Sequence, residues 1–500
     1  MQEPTNLTWL QTLKLKFQKE PTAGEPLLQA GAHHIKSETK QQPFPPQLDT
    51  SEYFRIPAIV TLQDGTLFAA ADARYETTGD GGGLDTMFAL SKDGGESWQQ
   101  SYAIWYPDSE RYAGKKATTC IDPVVAQGTD GTIYVLADMN PTGVTTMHGY
   151  TFPHVGTGYM TVEGKECLAL TNQYRKVNQN PKENPYPYYL GAFDSNLATV
   201  YSTLDHEPTD WALDAWLNIY EKQADGKFLP LYQKQVNKPY AFIQQNAFYK
   251  GSVLHVYNTG FMLLVTSKDG GKTWQPQILN PQIKRPEEGA LLVSPGKGTT
   301  LADGTIVLPF YNWYPKEKGL VQNASFIWSK DNGKTWHRTK DTHNGNGVDW
   351  FSENEIVEVH DGVLRMFIRN GTNKIAYVDA TWDDSLQNYL WQDPTVTDIP
   401  VTSACNVTAL TYSKEIDGKM AVMVAAPAGK GRANGKIFTF LLEADNTMHL
   451  AYTYAVNVGE YAYSCMDELP DGSIALLYEP KGGEIAYTHL SLETILQNKA

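Results

Sequence analysis

Six Asp-Gly dipeptides, each set between runs of apolar residues, constrain this 500-residue chain more than any other feature. They fall at Asp64-Gly65, Asp130-Gly131, Asp303-Gly304, Asp361-Gly362, Asp417-Gly418 and Asp471-Gly472. Asp-Gly between alternating runs marks a tight hairpin, because a primed turn needs φ > 0. Successive spacings are 66, 173, 58, 56 and 54 residues, so four of the five agree and announce a repeat.

A second motif is interleaved with the first. Ser91-Lys92-Asp93-Gly94-Gly95-Glu96-Ser97-Trp98, Ser267 to Trp274 and Ser329 to Trp336 share S-x-D-x-G-x-[ST]-W, with a worn copy at Asp383-Asp384-Ser385 and Trp391. The aspartate suits bonding to turn amides, and the tryptophan suits packing between neighbouring sheets. Asp93 and Asp331 follow their Asp-Gly turns by 29 and 28 residues, whereas Asp269 follows Asp130 by 139. About 110 extra residues therefore interrupt the second repeat, in a stretch rich in Tyr, Asn and Pro.

Six units of roughly 55 residues, each of four short strands, predict an all-β fold: a six-bladed β-propeller with a domain inserted in the second blade. A β-solenoid is the alternative, with shorter repeats. The expected organisation is a lead-in over 1–50, the first propeller part over 51–144, an insertion over 145–250 and the propeller remainder over 251–495.

A net charge of −15 argues against nucleic acid or an anionic membrane as partner, since both need a basic field. It leaves room for an anionic small molecule met by clustered arginines. The four cysteines are far apart and form neither a disulfide framework nor a metal-ligand spacing, so no metal is expected. No 18-residue apolar run predicts a membrane span, and Met1–Lys19 has no signal-peptide pattern. The expected location is cytoplasmic, or secreted or cell-surface if a leader has been trimmed.

Arg55, in Tyr53-Phe54-Arg55-Ile56-Pro57, sits at the mouth of a strand-like run. Burying a guanidinium is costly unless it is paired, which suits a strand end opening onto an anion site. Arg55 lies nine residues before its Asp-Gly aspartate; Asp122, Glu353 and Tyr463 each lie eight before theirs. One offset within a propeller repeat points at one end of the central channel, so these groups are expected to converge. Arg74, ten residues after Asp64, and Arg369, eight after Asp361, stand on the paired strands. Singly, each has a blander reading: a rim charge, a core tyrosine, or for Asp80 a turn residue in Gly79-Asp80-Gly81. The repeated offset is what separates them from those readings.

Phe-Arg-Ile-Pro together with the three aspartate boxes, from about Tyr53 to Glu479, resembles bacterial sialidases (neuraminidases) of glycoside hydrolase family 33. The resemblance implies a carboxylate-binding triad of Arg55, Arg369 and Arg432. By residue type, Arg285, Arg365 and Lys430 compete for the third place. It implies Tyr463 as nucleophile with Glu353 as its partner (Glu355 being the near competitor), Asp80 as acid/base, and Arg74 and Asp122 lining the sugar's C4 side. The activity implied is that of a retaining exo-α-sialidase, expected as a monomer that needs no cofactor and acts on sialylated glycans.

The chemistry fits those residue types. Guanidinium forks bind a carboxylate bidentately. The substrate's own carboxylate repels an anionic nucleophile, which favours a tyrosine, and sialidases depart from the two-carboxylate rule in this way. A phenol of pKa about 10 needs a base, and an aspartate of pKa about 3.9 acting as acid predicts an optimum below neutral. Three other outcomes stay open: a non-catalytic sialoglycan-binding propeller, an anhydro or unsaturated product, and a related nonulosonic acid as substrate. Trp313, Tyr314 or aromatics of the insertion would favour the second by excluding water.

Overall fold

Most of the Asp-Gly pairs close their hairpins by a turn other than the primed one. At Asp64-Gly65, Leu62 O accepts from Gly65 N at 2.8 Å while Leu62 N donates to Thr66 O, and only the glycine has positive φ (82°). Asp130, Asp303 and Asp471 repeat this pattern. It is the three-residue hairpin with a glycine bulge, and the aspartate caps it by accepting from the amide two residues on. Among the pairs whose two residues are both described, Asp417-Gly418 alone has both at positive φ and makes the primed two-residue turn.

The computed structural model describes residues 28–108, 117–234, 242–315, 320–342, 345–348, 350–360 and 362–500. Asp361 and the first 27 residues of the expected lead-in lie outside them. The rest of that lead-in joins the fold, since Ser37–Lys40 pairs with Ser97–Gln100.

The chain is all-β, with a propeller-like arrangement of sheets. Four sheets pair consecutive strands antiparallel in the manner of blades. They span Ala290–Arg338, Phe351–Pro400, Thr408–Glu460 and Ser464–Leu490. Upstream, a ten-stranded sheet holds two more antiparallel runs, linked by the parallel pair Leu84↔Thr119, with Gly296-Lys297 added in parallel to Val124-Val125. Ile133–Asn140 pairs directly with Phe261–Ser267, yet a separate seven-stranded sheet, Tyr159–Pro230, lies between them in the chain.

Strand side chains alternate, so each sheet feeds two cores. Leu308 packs with Val124 and Leu136 of the preceding run, whereas its neighbour Val307 packs with Ile356 and Met366 of the next sheet. The series continues until Leu477 and Ile485, near the end of the chain, pack with Ala69, Met87 and Trp98 near its beginning. The box tryptophans follow the same order: Trp98 meets Tyr487, Trp274 meets Phe68 and Phe88, and Trp336 meets Tyr134. Their aspartates bond the turns as expected, Asp93 accepting from Ser97 N (2.9 Å) and Ser97 Oγ (2.5 Å). The worn copy keeps only part of this: Asp383 accepts from Ser385 and Leu386, but Trp391 reaches across to Lys340 O.

Candidate active site

Three inner strands break register at the same place. Tyr53–Thr61 skips between Arg55 and Ala58, Thr119–Gln127 between Ile121 and Val124, and Phe351–Val359 between Phe351 and Asn354. A bulge re-aims side chains out of the pleat and tolerates the prolines at 57 and 123. Ile56 (φ 58°) and Asp122 (φ 63°) carry the left-handed conformation just before those prolines. For a β-branched residue such as Ile56 this costs roughly 1–3 kcal/mol, and Ile56 N is pinned in place by Glu479 Oε1 at 2.9 Å.

The bulges explain an irregularity in the offsets. Asp122 is equivalent to Ile56, and Arg55 to Ile121; all four line the pocket at these strand ends, since a bulge lets consecutive residues face it, so Arg55 reaches it from nine residues before its aspartate.

The strand ends surround a pocket of about 220 Å³. Arg55, Arg369 and Arg432 line it, as do Asp80, Asp122, Glu353 and Tyr463, so seven of the eight residues singled out from sequence meet there. Tyr463 Oη donates to Glu353 Oε1 at 2.5 Å. Arg369 Nη1 donates to Glu353 Oε2 (2.7 Å) and to Tyr463 Oη (3.2 Å), tying acid, phenol and guanidinium into one triangle. The guanidiniums of Arg55 and Arg432 stand 5.7 and 5.2 Å from the Tyr463 ring centre. Burial pushes this phenol well above its ordinary value, with Glu353 adding and Arg369 opposing, so it rests neutral.

Arg74 is the eighth residue, and it does not line the pocket. It is fully buried, held by Asp72 Oδ2 and Asp80 Oδ1, each at 2.7 Å. Its strand turns it inward, where it fixes the loop that carries Asp80. Arg55 Nη1 reaches the same Asp80 oxygen at 3.3 Å. Burial acts to raise the Asp80 pKa, but Arg74 and Arg55 outweigh it and hold the group below the usual carboxylate range. Thr145 Oγ1 donates to Asp80 O at 3.1 Å, bracing the loop from the segment that follows Asn140.

The competitors lie elsewhere. Arg285 pairs with Asp341, Arg365 is buried on Asp379, and Glu355 is buried with its Oε1 taken by Thr408 and Ala409. Arg369 Nε donates to Ser403 O and Arg432 Nε to Ala404 O. Among the described residues no acceptor holds Arg369 Nη2 or the terminal nitrogens of Arg432. The open Nη2 of Arg369 and the open fork of Arg432, with Arg55 lining the same pocket, suit an anion.

Residues that sequence reasoning missed share a signal with Arg369. Eight residues after five of the six Asp-Gly aspartates stand Asp72, Asp138, Tyr311, Arg369 and Glu479, the sixth position being Ala425. Asp138, Tyr311 and Arg369 line the pocket. Asp72 and Glu479 lie beneath it, holding Arg74 and Arg55. Glu479 takes Arg55 Nε at 3.2 Å and Nη2 at 3.3 Å. Burial raises Asp122 and Asp138 well above the ordinary carboxylate value, each reinforced by Asp72. Among the described residues no group of three or more His, Cys, Asp or Glu could hold a metal, and no helix is long and apolar enough to cross a membrane.

Residues 240–473 match the model of the BNR repeat-like domain. The anhydrosialidase of Macrobdella decora is 30% identical, over 89% of this chain and 60% of the relative. Sialidase B of Streptococcus pneumoniae is 26% identical, over 89% of this chain and 64% of the relative. The chain thus spans under two thirds of the length of these curated relatives. Among solved structures, the intramolecular trans-sialidase of Ruminococcus gnavus, in complex with oseltamivir carboxylate, superposes with a TM-score of 0.74 at 28% identity. That match covers 89% of this chain and 96% of the other.

Proposed function

From the premise that this chain is a sialidase homologue along 89% of its length, we propose that it is a glycoside hydrolase cleaving terminal α-ketosidic sialic acids with Tyr463 as nucleophile. The observation that carries this reading is the 2.5 Å contact between Tyr463 Oη and Glu353 with Arg369 bonded to both. Arg55, Arg369 and Arg432 grip the substrate carboxylate. Glu353 takes the phenol proton as Tyr463 Oη attacks the anomeric carbon, Arg369 staying paired with Glu353. Asp80 protonates the departing oxygen. It then deprotonates the water that breaks the tyrosyl bond, with overall retention. A fluorogenic sialoside tests the reading: the protein releases the fluorophore, whereas a non-catalytic sialoglycan-binding propeller binds without turnover.

A second reading concerns the product. Trp313 lies two residues beyond Tyr311 on the same strand face and meets the half-exposed ring of Phe152 edge-on at 6.1 Å. An aromatic pair beside the mouth limits water, which favours attack by one of the sugar's own hydroxyls, its proton passing to Asp80. Two of the relatives are named for that outcome, an anhydrosialidase and an intramolecular trans-sialidase. Mass spectrometry of the released sugar separates the two, the anhydro product being lighter by one water.

The wider architecture follows the same reading. The ten-stranded sheet comprises the first two of six blades, and residues 145–250 are an insertion in the second.

Two outcomes follow for the acid. Asp80 is held low in the free protein, so its protonated fraction disappears as pH rises. kcat/KM is expected to peak below neutral and to fall toward pH 8. A bound carboxylate screens Arg55, so the falling limb of kcat should lie at higher pH than that of kcat/KM. Rate profiles in which the two limbs coincide, or kcat/KM rises above pH 8, contradict the assignment. Thr145→Val keeps the shape but removes the bond to Asp80 O. About tenfold lower kcat is expected on alkyl sialosides, where the leaving group needs a proton, with little change on aryl ones. Equal losses on both would remove Thr145 from the acid's support.

A further inference from the structure

Of the three arginines around the pocket, Arg432 alone has no carboxylate holding it among the described residues. Arg55 rests on Glu479 and Arg369 on Glu353, whereas Arg432 is exposed and its Nε donates to Ala404 O at 3.1 Å. A long exposed side chain is placed only as well as the backbone that carries it, so the loop bearing Arg432 has to be fixed by other means.

That loop closes through Ala428 N to Asn434 O (2.9 Å) and Gly429 N to Ala433 O (3.0 Å). Tyr461, from outside it, supplies the anchor. Its N donates to Arg432 O at 3.1 Å, and its wholly buried ring lies against Gly435. A Cβ on Gly435 would stand 2.0 Å from Tyr461 Cδ2, so a larger residue does not fit while the ring keeps its place. The ladder between Ala433–Leu442 and Met448–Glu460 shifts register on both sides of this glycine. The same ring stacks on Tyr478 of the last sheet, centroids 5.0 Å apart at 18°. Two residues on, Tyr463 O accepts from Glu479 N at 2.9 Å, and the Tyr463 ring stands 5.2 Å from the Arg432 guanidinium. One short segment thus joins the arginine loop to the phenol of the pocket.

Resting on the sialidase reading, we propose that Tyr461 is a positioning residue: its ring, packed on Gly435 and Tyr478, sets the Arg432 loop at the height from which that guanidinium reaches the substrate carboxylate. The carboxylate is gripped in ground state and transition state alike, so misplacing Arg432 is felt in KM more than in kcat.

A double-mutant cycle on a fluorogenic sialoside tests it. Tyr461→Leu keeps an apolar side chain in the core but removes the ring. KM is expected to rise about tenfold, with kcat within about threefold of the wild type. Arg432→Ala alone raises KM at least as much. Added to Tyr461→Leu it raises KM by less than about threefold more, because the guanidinium is already out of place. Gly435→Ala, which drives the ring off its seat from the other side, gives the same rise and the same loss of coupling. It serves in the cycle if Tyr461→Leu melts below the assay temperature. Tyr461→Phe keeps the ring and is expected to stay within about threefold of the wild type. Losses that multiply in full across the cycle would show a merely structural role and overturn the proposal. So would a fall confined to kcat, or Tyr461→Phe failing as Tyr461→Leu does, with the sialidase reading left standing in each case. A wild-type protein that cleaves no sialoside rejects both.

Discussion

Tyr463→Phe is expected to lower kcat at least about 1000-fold, the scale on which removal of a covalent nucleophile is felt. The substitution deletes one oxygen and keeps the ring against which the Arg55 and Arg432 guanidiniums stand. Glu353 stays oriented by Arg369 at 2.7 Å, so the carboxylate grip survives, and calorimetric binding of free sialic acid should change by less than about tenfold. Glu353→Gln is expected to lose turnover on a similar scale, since the phenol rests neutral and needs its base. The two losses should not add, because phenol and base act as one unit. Turnover within tenfold of wild type in Tyr463→Phe would put the nucleophile elsewhere.

The second large effect concerns a residue that touches no substrate. Glu479 is wholly buried and accepts Arg55 Nε, Arg55 Nη2 and Ile56 N, joining the last sheet to the first inner strand. Glu479→Ala leaves a buried guanidinium without its main partner and releases the strained residue at 56. The expected cost is about 3–5 kcal/mol of stability, that of breaking a buried ion pair from one side. KM should rise well over tenfold as Arg55 leaves its place, with kcat less affected. Thermal melting and initial rates measure the two separately. A variant that melts as wild type with KM within threefold would mean that Thr78 O and Asp80 alone hold Arg55.

Much of this was legible along the chain because repeats convert spacing into position. The Asp-Gly offsets brought Asp122, Glu353, Tyr463 and Arg369 to one end of the fold hundreds of residues apart. They failed where the backbone broke its own period. Arg55 stands one residue before the shared offset and still reaches the pocket because the bulge at Ile56-Pro57 lets consecutive residues face it, and the glycine-bulged hairpins replace the primed turns that Asp-Gly suggests.

The side of a strand on which a charge emerges was harder to read. Arg74 is two residues from Asp72 and shares its face, and counting alone makes it a neighbour of the pocket. Packing instead buries it between two aspartates. Glu479, Asp72 and Asp138 carried the same offset as Arg369, but a carboxylate beneath an arginine and one lining the pocket look alike in sequence.

By itself the amino-acid order determined the all-β class, the repeat and which residue types could converge, since periodic turns and alternating apolar positions act locally. Tertiary structure alone decided which of the converging charges face the pocket and which are spent holding others. Those assignments depend on desolvation and pairing between sheets that become neighbours only when the last packs against the first.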